Sequence, residues 1–301
     1  MKQFPVRAMA VGVALIGVLL LRESQFAAKA GLRADFAAAG KLSAESDAAL
    51  QTDHAFVQAA ATRDSGAVAK FLDADFMWTN AEGNTLARAD VVASVPAPVM
   101  GDESGAKTEQ RDYGQIFAIM SEKEKNHVLR VWAKRGANWR LLVYHEVAQA
   151  QEAAPSKGTG VKDCENPCKT VPYEPKNEAE HGVIASWQAL ETGVTNHDAS
   201  AWSPHVDEDF VTVSSSSDHP VFKADRIATL DLQKQTGYGA APAPLVSAQM
   251  FDFPNTVVMA CLHQPYKGKP IRVSRVWIKR DGKWLMTISF QTTIQAGATR
   301  S

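Results

Sequence analysis

The chain has 301 residues, of which 45% are hydrophobic and 22% are charged. This is a globular composition, and it excludes collagen-like, coiled-coil and wholly disordered proteins. With 32 Lys and Arg residues against 33 Asp and Glu residues, the formal net charge is −1. There is no basic excess for a phosphate backbone, so no nucleic-acid partner is expected. A chain of this length is expected to form two domains.

The N-terminal segment has the pattern of a secretory signal. Lys2 and Arg7 precede an uncharged apolar run over 8–21, which is shorter than the roughly 18 residues that a spanning helix needs. An Ala-x-Ala site, suited to cleavage, ends at Ala30. We therefore predict a signal peptide over 1–30, an exported protein that is periplasmic or secreted, and no stable membrane span after cleavage. An uncleaved anchor is the alternative.

The rest of the sequence repeats itself. An Arg-Val-Trp-x-Lys-Arg motif begins at Arg130 and recurs at Arg275, 145 positions later, and an Asp-x-Asp-Phe motif that ends at Phe76 recurs at Phe210, an offset of 134. The offset grows by about ten between the motifs, which predicts an insertion in the second copy at 237–244. Copies of this length indicate a duplicated domain rather than a short solenoid repeat.

Each copy is predicted to place its helices before its sheet, an α+β architecture. In the first copy, helices are predicted over 43–61, 65–72 and 88–94, and strands over 76–80, 113–121, 127–135 and 139–147. The second copy begins with a predicted helix over 177–194. The predicted organisation after the signal peptide is a linker over 31–42, a first domain over 43–149, a linker over 150–176, a second domain over 177–296 and a tail over 297–301.

The cysteines fit an oxidising compartment in part. Cys164 and Cys168 flank Pro167 in a turn-rich stretch, and a bend there can bring their Cα atoms within the roughly 7 Å that a disulfide requires. We predict this disulfide. A metal site is the weaker alternative, because only two of about four ligands are local. Cys261 lies in an apolar, strand-like run and is predicted to be a buried free thiol.

The two repeated motifs and the order of the elements resemble the nuclear transport factor 2-like superfamily, near its polyketide-cyclase-like and domain-of-unknown-function 4440-type groups. The resemblance covers both copies. It implies two tandem cone-shaped domains, each a curved, mostly antiparallel sheet wrapped around N-terminal helices with a pocket at the open end. It also implies that the sheets pair as an internal pseudo-dimer, which can remain monomeric. Related families include ketosteroid isomerases, dehydratases, epoxide hydrolases, cyclases and pure binding domains, so the fold does not decide the reaction.

Strand alternation predicts which side chains reach a pocket. Trp139, Val143 and His145 share one largely apolar face of the last strand, which we expect to be the face covered by the helices. Arg130 and Trp132 lie on the neighbouring strand and are expected to form a surface ladder, with an anion-binding Arg130 as the alternative. The ligand-binding candidates are aromatic and polar residues at strand ends: Trp78, Asn80, Tyr113, His127, His145, Arg272 and Phe290.

Two function classes remain open. The first is an exported protein that binds a small apolar or polar-headed molecule in a cone pocket, without catalysis and without a cofactor or metal. The second is a lyase, isomerase or cyclase of the ketosteroid-isomerase or dehydratase type in the first domain, with His145 and Asp53 as catalytic candidates. Asp53 is nevertheless expected on the solvated face of a helix whose apolar side includes Leu50 and Val57. Trp187 takes its place in the second copy.

Overall fold

The computed structural model describes residues 44–152, 163–239 and 242–295. From Ser46 onward the described residues form one compact unit that holds both copies, and the preceding unit, Met1–Glu45, lies almost wholly outside the described residues. The predicted signal peptide, the linker over 31–42 and the C-terminal tail also lie outside them. Among the described residues, no helix is both long and apolar enough to cross a membrane.

The first copy consists of three helices and a six-stranded sheet. Its helices are α1 (Ala44–Ala61), α2 (Ser65–Val68) and α3 (Arg88–Ala93). Its strands are β1 (Leu72–Thr79), β2 (Thr85–Ala87), β3 (Lys107–Asp112), β4 (Ile116–Lys123), β5 (Asn126–Arg135) and β6 (Asn138–Ala148). The strand order is β2-β1-β6-β5-β4-β3, and only the β1–β6 pair is parallel. The sequence does not predict β3, because every residue of that edge strand is polar or charged.

The second copy repeats this arrangement. Its helices are α4 (Glu178–Thr195), α5 (Ala199–Trp202) and α6 (Lys223–Thr236), with a 3-10 turn at Ser203–His205. Its strands are β7 (Val206–Ser214), β8 (Val221–Phe222), β9 (Leu245–Phe253), β10 (Thr256–His263), β11 (Ile271–Arg280) and β12 (Lys283–Thr293). The strand order, β8-β7-β12-β11-β10-β9, matches that of the first sheet. The predicted α+β fold with two tandem copies is confirmed.

The ten extra residues of the second copy are divided between two places. Phe117 pairs with Asp112 of β3, and Val257 pairs with Asp252 of β9. The two pairs are equivalent, so the offset between the copies is 140 at this point. The offset reaches 145 only beyond the loop that joins β10 to β11, at 264–270. The prediction of a single insertion at 237–244 is therefore wrong in part, because half of the added length lies in this later loop.

The two repeated motifs contact each other in each copy. Arg135 Nε, at the end of the Arg-Val-Trp motif, donates to Asp73 Oδ2 of the Asp-x-Asp-Phe motif at 2.8 Å. In the second copy Arg280 Nη1 donates to Asp207 Oδ1. Both aspartates are buried. They lie inside β1 and β7, and each carboxylate ties the start of that strand to the end of the central hairpin.

Each sheet has an inner face, which packs on its own helices, and an outer face, which packs on the other sheet. The inner faces form two separate cores, one in each copy. The outer faces form a third core that includes Leu129, Val131 and Val143 from the first sheet with Val276 and Ile288 from the second. The internal pseudo-dimer implied by the resemblance is thus the arrangement of the two sheets in the structure.

A β-bulge reverses the strand alternation in β6. The pairing with β5 skips Leu142, so Trp139 and Leu141 belong to the inner core, whereas Val143 belongs to the outer one. His145 likewise points to the second sheet. The prediction that this row forms one helix-covered face is therefore wrong. The last strand of the second copy carries the same bulge.

The cysteine predictions are confirmed. Cys164 and Cys168 form a disulfide, in the short segment that precedes α4. Cys261 is a free and buried thiol, and burial raises its pKa.

Candidate functional site

A buried ion cluster lies on the inner face of the first copy. Asp53 Oδ1 accepts hydrogen bonds from Arg130 Nε at 2.6 Å and from Trp132 Nε1 at 2.8 Å, and Asp53 Oδ2 accepts from Arg130 Nη2 at 3.1 Å. Arg130 also donates to Ser121 Oγ at 3.0 Å and forms an ion pair with Glu103. The guanidinium therefore has hydrogen-bonding partners on a helix, a strand and a loop.

Asp53 reaches the cluster because it lies on the buried face of α1, which is not the face predicted from the sequence. The buried positions include Ala49, Asp53, Phe56 and Ala60, which follow the spacing of three to four residues of a helix face. The prediction that Asp53 lies on the solvated face is wrong, since only 3% of it is exposed. A carboxylate is tolerated there because Arg130, far away in sequence, neutralises it.

The electrostatics of the cluster favour full ionisation of the arginine. Burial opposes the charge of Arg130, but the carboxylates of Asp53 and Glu103 outweigh that effect and raise its pKa. Arg130 and Trp132 are 2% and 0% exposed, so the predicted surface ladder is wrong. One guanidinium faces two carboxylates, and the cluster carries a formal excess of one negative charge.

A cleft of about 190 Å³ reaches this cluster from the surface. Leu50 and Val57 of α1 form its apolar wall, and Asp53, Glu103 and Arg130 provide its charged groups. The remaining lining residues are polar: His54, Gln58, Asp102 and Thr108. A cleft with an apolar wall and a few fixed polar groups is the usual form of a small-molecule site.

The second copy has lost the carboxylate of this cluster. Trp187 stands at the position of Asp53, and the guanidinium of Arg275 lies 5.0 Å from its ring centre. Arg275 Nη1 also donates to Cys261 Sγ at 3.0 Å and contacts His263 Nε2 at 3.1 Å. Within the described part of the chain, Trp277 Nε1 has no hydrogen-bond partner. Its counterpart in the first copy, Trp132 Nε1, donates to Asp53 Oδ1.

Glu146 is a further buried acid of the first copy that is not among the residues predicted from the sequence. Its two carboxyl oxygens accept from the backbone N–H groups of Val99 at 2.9 Å and Ala81 at 3.1 Å. Burial raises its pKa to about 7. The available signal was that Glu146 is the single acidic residue of strand β6. Its carboxyl group joins the last strand to two loops.

His145 lies between the two sheets, with no exposed surface. Thr292 Oγ1 donates its single proton to the carbonyl of Glu146 at 2.6 Å, so it can only accept from His145 Nε2 at 3.1 Å. Nδ1 is then the acceptor for Ser274 Oγ–H at 2.8 Å. Burial lowers the pKa of His145 to about 3, so the ring is a neutral Nε2–H tautomer that joins the copies.

The other aromatic candidates serve packing and contact between the copies. Trp78 belongs to the inner core of the first copy, and its ring stacks on Tyr144 with centres 3.9 Å apart. The hydroxyl of Tyr113 lies 3.1 Å from Thr287 Oγ1 of the second copy. Phe290 belongs to the core between the sheets.

The remaining polar candidates are spread over the molecule. Asn80 Oδ1 accepts from the backbone N–H of Asn84 in the β1–β2 turn at 2.8 Å. His127 Nε2 lies 2.8 Å from Gln149 Oε1, and burial lowers the pKa of the ring. Arg272 lines a cleft between the two sheets. The structure therefore does not bring the predicted ligand-binding residues together in one pocket, and of the catalytic candidates only Asp53 lines the cleft of the first copy.

No protein-family model and no curated protein matches the sequence. Among solved structures, the chain is similar to a nuclear transport factor 2-like protein from Cytophaga hutchinsonii, with 18% identity over 39% of this chain and 99% of the other and a TM-score of 0.33. It is also similar to one from Novosphingobium aromaticivorans, with 12% identity over 40% and 85% and a TM-score of 0.33. A third, a protein of unknown function with a cystatin-like fold from Nostoc punctiforme, has 10% identity over 42% and 98% and a TM-score of 0.34.

The fold is assigned from the order of helices and strands that both copies share. In both copies a long helix and a short one come first, and a six-stranded sheet with a single parallel pair wraps their apolar face. The chain is thus a tandem of two α+β folds that share the same order of helices and strands.

Proposed function

We propose that the first copy binds a small, polar-headed molecule in the cleft at Asp53, Glu103 and Arg130, and that it does so without catalysis. The observation that carries this proposal is the access of the cleft to an ion cluster that is otherwise buried. The second copy, in which Trp187 replaces the aspartate, is not proposed to share the ligand.

The charge of the cleft indicates the kind of head group. Three carboxylates, those of Asp53, Asp102 and Glu103, face one guanidinium, that of Arg130. A neutral hydrogen-bonding group or a cation suits this balance better than an anion does, because like charges repel in a partly desolvated site. The volume of about 190 Å³ favours a ligand smaller than the drug-sized molecules that fill pockets of about 300–1,000 Å³.

The hydrogen bonds of Asp53 argue for binding rather than proton transfer. Both carboxylate oxygens are already acceptors, from two nitrogens of Arg130 and from the indole of Trp132. A general base must reach the proton that it abstracts, and His145, which is committed to hydroxyl groups of the second copy, does not line this cleft.

A lyase or isomerase activity is the second candidate, and one observation favours it. Glu146 has a pKa of about 7, raised by burial, and a pKa close to the working pH suits an acid–base catalyst. Turnover of a β,γ-unsaturated ketone that disappears in Glu146→Gln would support this candidate. Turnover that survives unchanged in the variant would contradict it.

We also propose that the protein is exported. The N-terminal signal pattern over 1–30 and the Cys164–Cys168 disulfide support this, because disulfides persist in oxidising compartments. Intact-mass measurement of protein taken from its native envelope should give a chain that begins near Gly31. A chain that still begins at Met1 would contradict cleavage.

The binding proposal is tested with a small-molecule set that contains neutral amides, amines and carboxylates. Backbone amide shifts of the full chain should move around Val57 and Glu103 for amides or amines, and not for carboxylates. Val57→Trp fills the cleft from its apolar wall and should abolish these shifts, whereas Ala55→Trp, on the exposed face of the same helix, should leave them intact. Equal binding to both variants would contradict the proposal.

A further inference from the structure

Two carboxyl groups meet at the start of α4 in the second copy. Glu180 lies in the first turn of this helix and has no exposed surface, and Asp252 of β9 lies beside it. Glu180 Oε2 accepts hydrogen bonds from Tyr173 Oη at 2.8 Å and from the backbone N–H of Lys176 at 2.7 Å. No group in the described part of the chain donates to the other oxygen, Oε1, which is also buried. One buried oxygen is therefore left without a donor next to a second acid.

Asn177, the N-cap residue of α4, holds the two acids in place. Its Oδ1 accepts from the backbone N–H of Glu180 at 3.0 Å, and its Nδ2 donates to Asp252 Oδ2. One amide side chain thus binds the backbone of the first acid and the carboxyl group of the second. Since β9 is the edge strand of the second sheet, this contact attaches the start of the long helix to the edge of the sheet that it covers.

The equivalent contact of the first copy is a hydrogen bond between a hydroxyl and a carboxylate. Helices α1 and α4 have the same length and match end to end, so Ser46 stands where the second copy has Glu180. Asp112 stands where the second copy has Asp252. Ser46 Oγ–H donates to Asp112 Oδ2 at 2.6 Å. In the second copy the aspartate is retained and the hydroxyl is replaced by a carboxyl, so the contact lacks a hydrogen unless one of the two acids is protonated.

The surrounding charges favour a proton in this contact. Two ionised carboxylates side by side repel each other, and a buried oxygen without a donor adds a desolvation cost. Burial and the neighbouring Glu180 raise the pKa of Asp252, and the bond from Asn177 and the charge of Lys176 offset this only in part. The other titratable group at the pair is Tyr173, which stays neutral because burial raises its pKa. A single proton removes the repulsion and supplies the missing donor.

We propose that Glu180 and Asp252 share one proton, and that this proton makes the attachment of α4 to β9 dependent on pH. The proton comes from solvent and returns to it through the exposed side of Asp252. While it is bound, a hydrogen bond between a carboxyl and a carboxylate group holds the helix to the strand. Once it is lost, the two carboxylates repel each other and the contact weakens. This device is independent of the ligand proposed for the first copy.

The test follows the side-chain carboxyl carbon shifts of the full chain by NMR as the pH is changed. The pair should titrate in two separate steps, with the upper step above the ordinary range of an aspartate. Glu180→Gln places an amide N–H against Asp252, while its oxygen can keep the bonds from Tyr173 and Lys176. In this variant the upper step should disappear, and the midpoint of Asp252 should fall by about one pH unit or more. Asp112→Asn, in the equivalent contact of the first copy, is the control and should leave both steps unchanged.

Urea denaturation provides a second readout. A carboxyl whose pKa is raised by folding stabilises the chain at low pH, and this stabilisation is lost as the pH rises through the upper step, so Glu180→Gln should gain stability relative to the parent over that step. If this variant does not fold, Asp252→Asn, whose amide can donate to Glu180 Oε1, should likewise leave a single step. The proposal is overturned if both acids of the parent titrate independently at ordinary values, or if the upper step survives in the variant. It is also overturned if millimolar Ca²⁺ or Mg²⁺ shifts both carboxyl signals at neutral pH, because the pair would then be a cation site.

Discussion

His145 of the first copy faces Phe290 of the second across the interface, with ring centres 6.3 Å apart and an angle of 66° between the rings. The two residues are equivalent in the repeat, 145 positions apart. Contact between equivalent residues means that the pseudo-twofold axis of the tandem passes between them. The difference between His145 and Phe290 therefore makes a single contact asymmetric, because the two residues meet there. It does not distinguish a pocket of the first copy from a pocket of the second.

The first prediction concerns the hydrogen bonds of this asymmetric contact. His145→Phe places two phenyl rings at the pseudo-axis and removes the bonds to Ser274 and Thr292. The free energy of unfolding should fall by about 1–3 kcal/mol, because a buried hydroxyl loses its partner. Urea denaturation measures this change. Ser274→Ala, which removes one bond together with its donor, should have a smaller effect, and unchanged stability in His145→Phe would contradict the interface role.

The faces of β6 were predicted wrongly for a physical reason that the sequence does not reveal. A bulge adds one residue and thereby exchanges inward and outward positions for the rest of the strand. Leu141, Leu142 and Val143 are all apolar, so no break in alternation indicates where the extra residue lies. The repeat, the α+β order and the disulfide were predictable, because each depends on local patterns.

The burial of Asp53 depends instead on a contact that is distant in sequence. Helix periodicity ranks an aspartate as a solvent-facing residue, and its partner Arg130 lies 77 positions away. A comparison of the copies carries a partial signal, because Arg275 is retained while Trp187 replaces the acid. Only the folded chain shows that the arginine, the indole and the acid meet in one cluster.

The second prediction concerns pH and Glu146. Burial raises the pKa of this carboxyl from 4.5 to about 7, so between these values the folded chain binds more protons than the unfolded chain. Its contribution to stability is therefore greatest below pH 4.5 and is lost as the pH rises to 7. Over this window Glu146→Gln should gain stability relative to the parent, by about 3 kcal/mol at most.

Urea denaturation at several pH values between 4.5 and 8 measures this difference. Glu174→Gln, at an exposed position, is the control and should follow the parent at every pH. A difference between Glu146→Gln and the parent that does not change with pH would show that the carboxyl titrates normally.

The third prediction concerns the cysteines. The Cys164–Cys168 disulfide closes a very short loop, so the double variant with serine at both positions should lose about 2 kcal/mol of stability or less. A thiol reagent should leave Cys261 of the native oxidised chain unmodified, because this thiol is buried, and it should label one site after unfolding. Rapid labelling of the native chain would contradict the burial of Cys261.

The last prediction compares the arginines of the two copies. Arg130→Gln leaves the buried Asp53 and the half-buried Glu103 without their cation, and breaking a buried pair in this way typically costs about 3–5 kcal/mol. Arg275→Gln should cost less. Within the described part of the chain no carboxylate pairs with Arg275, whose contacts are a thiol, an imidazole and an indole ring, and the substitution also removes a desolvated charge.

Urea denaturation of both single variants, with Asp53→Asn and the Asp53→Asn/Arg130→Gln double variant, completes the comparison. Asp53→Asn should cost less than Arg130→Gln, because Glu103 still pairs with the guanidinium. The double variant should cost less than the two single changes added together, since residues in one network couple by about 0.5–3 kcal/mol. An Arg275→Gln cost equal to that of Arg130→Gln would mean that packing around the guanidinium, rather than its carboxylate partners, sets the stability of both inner cores.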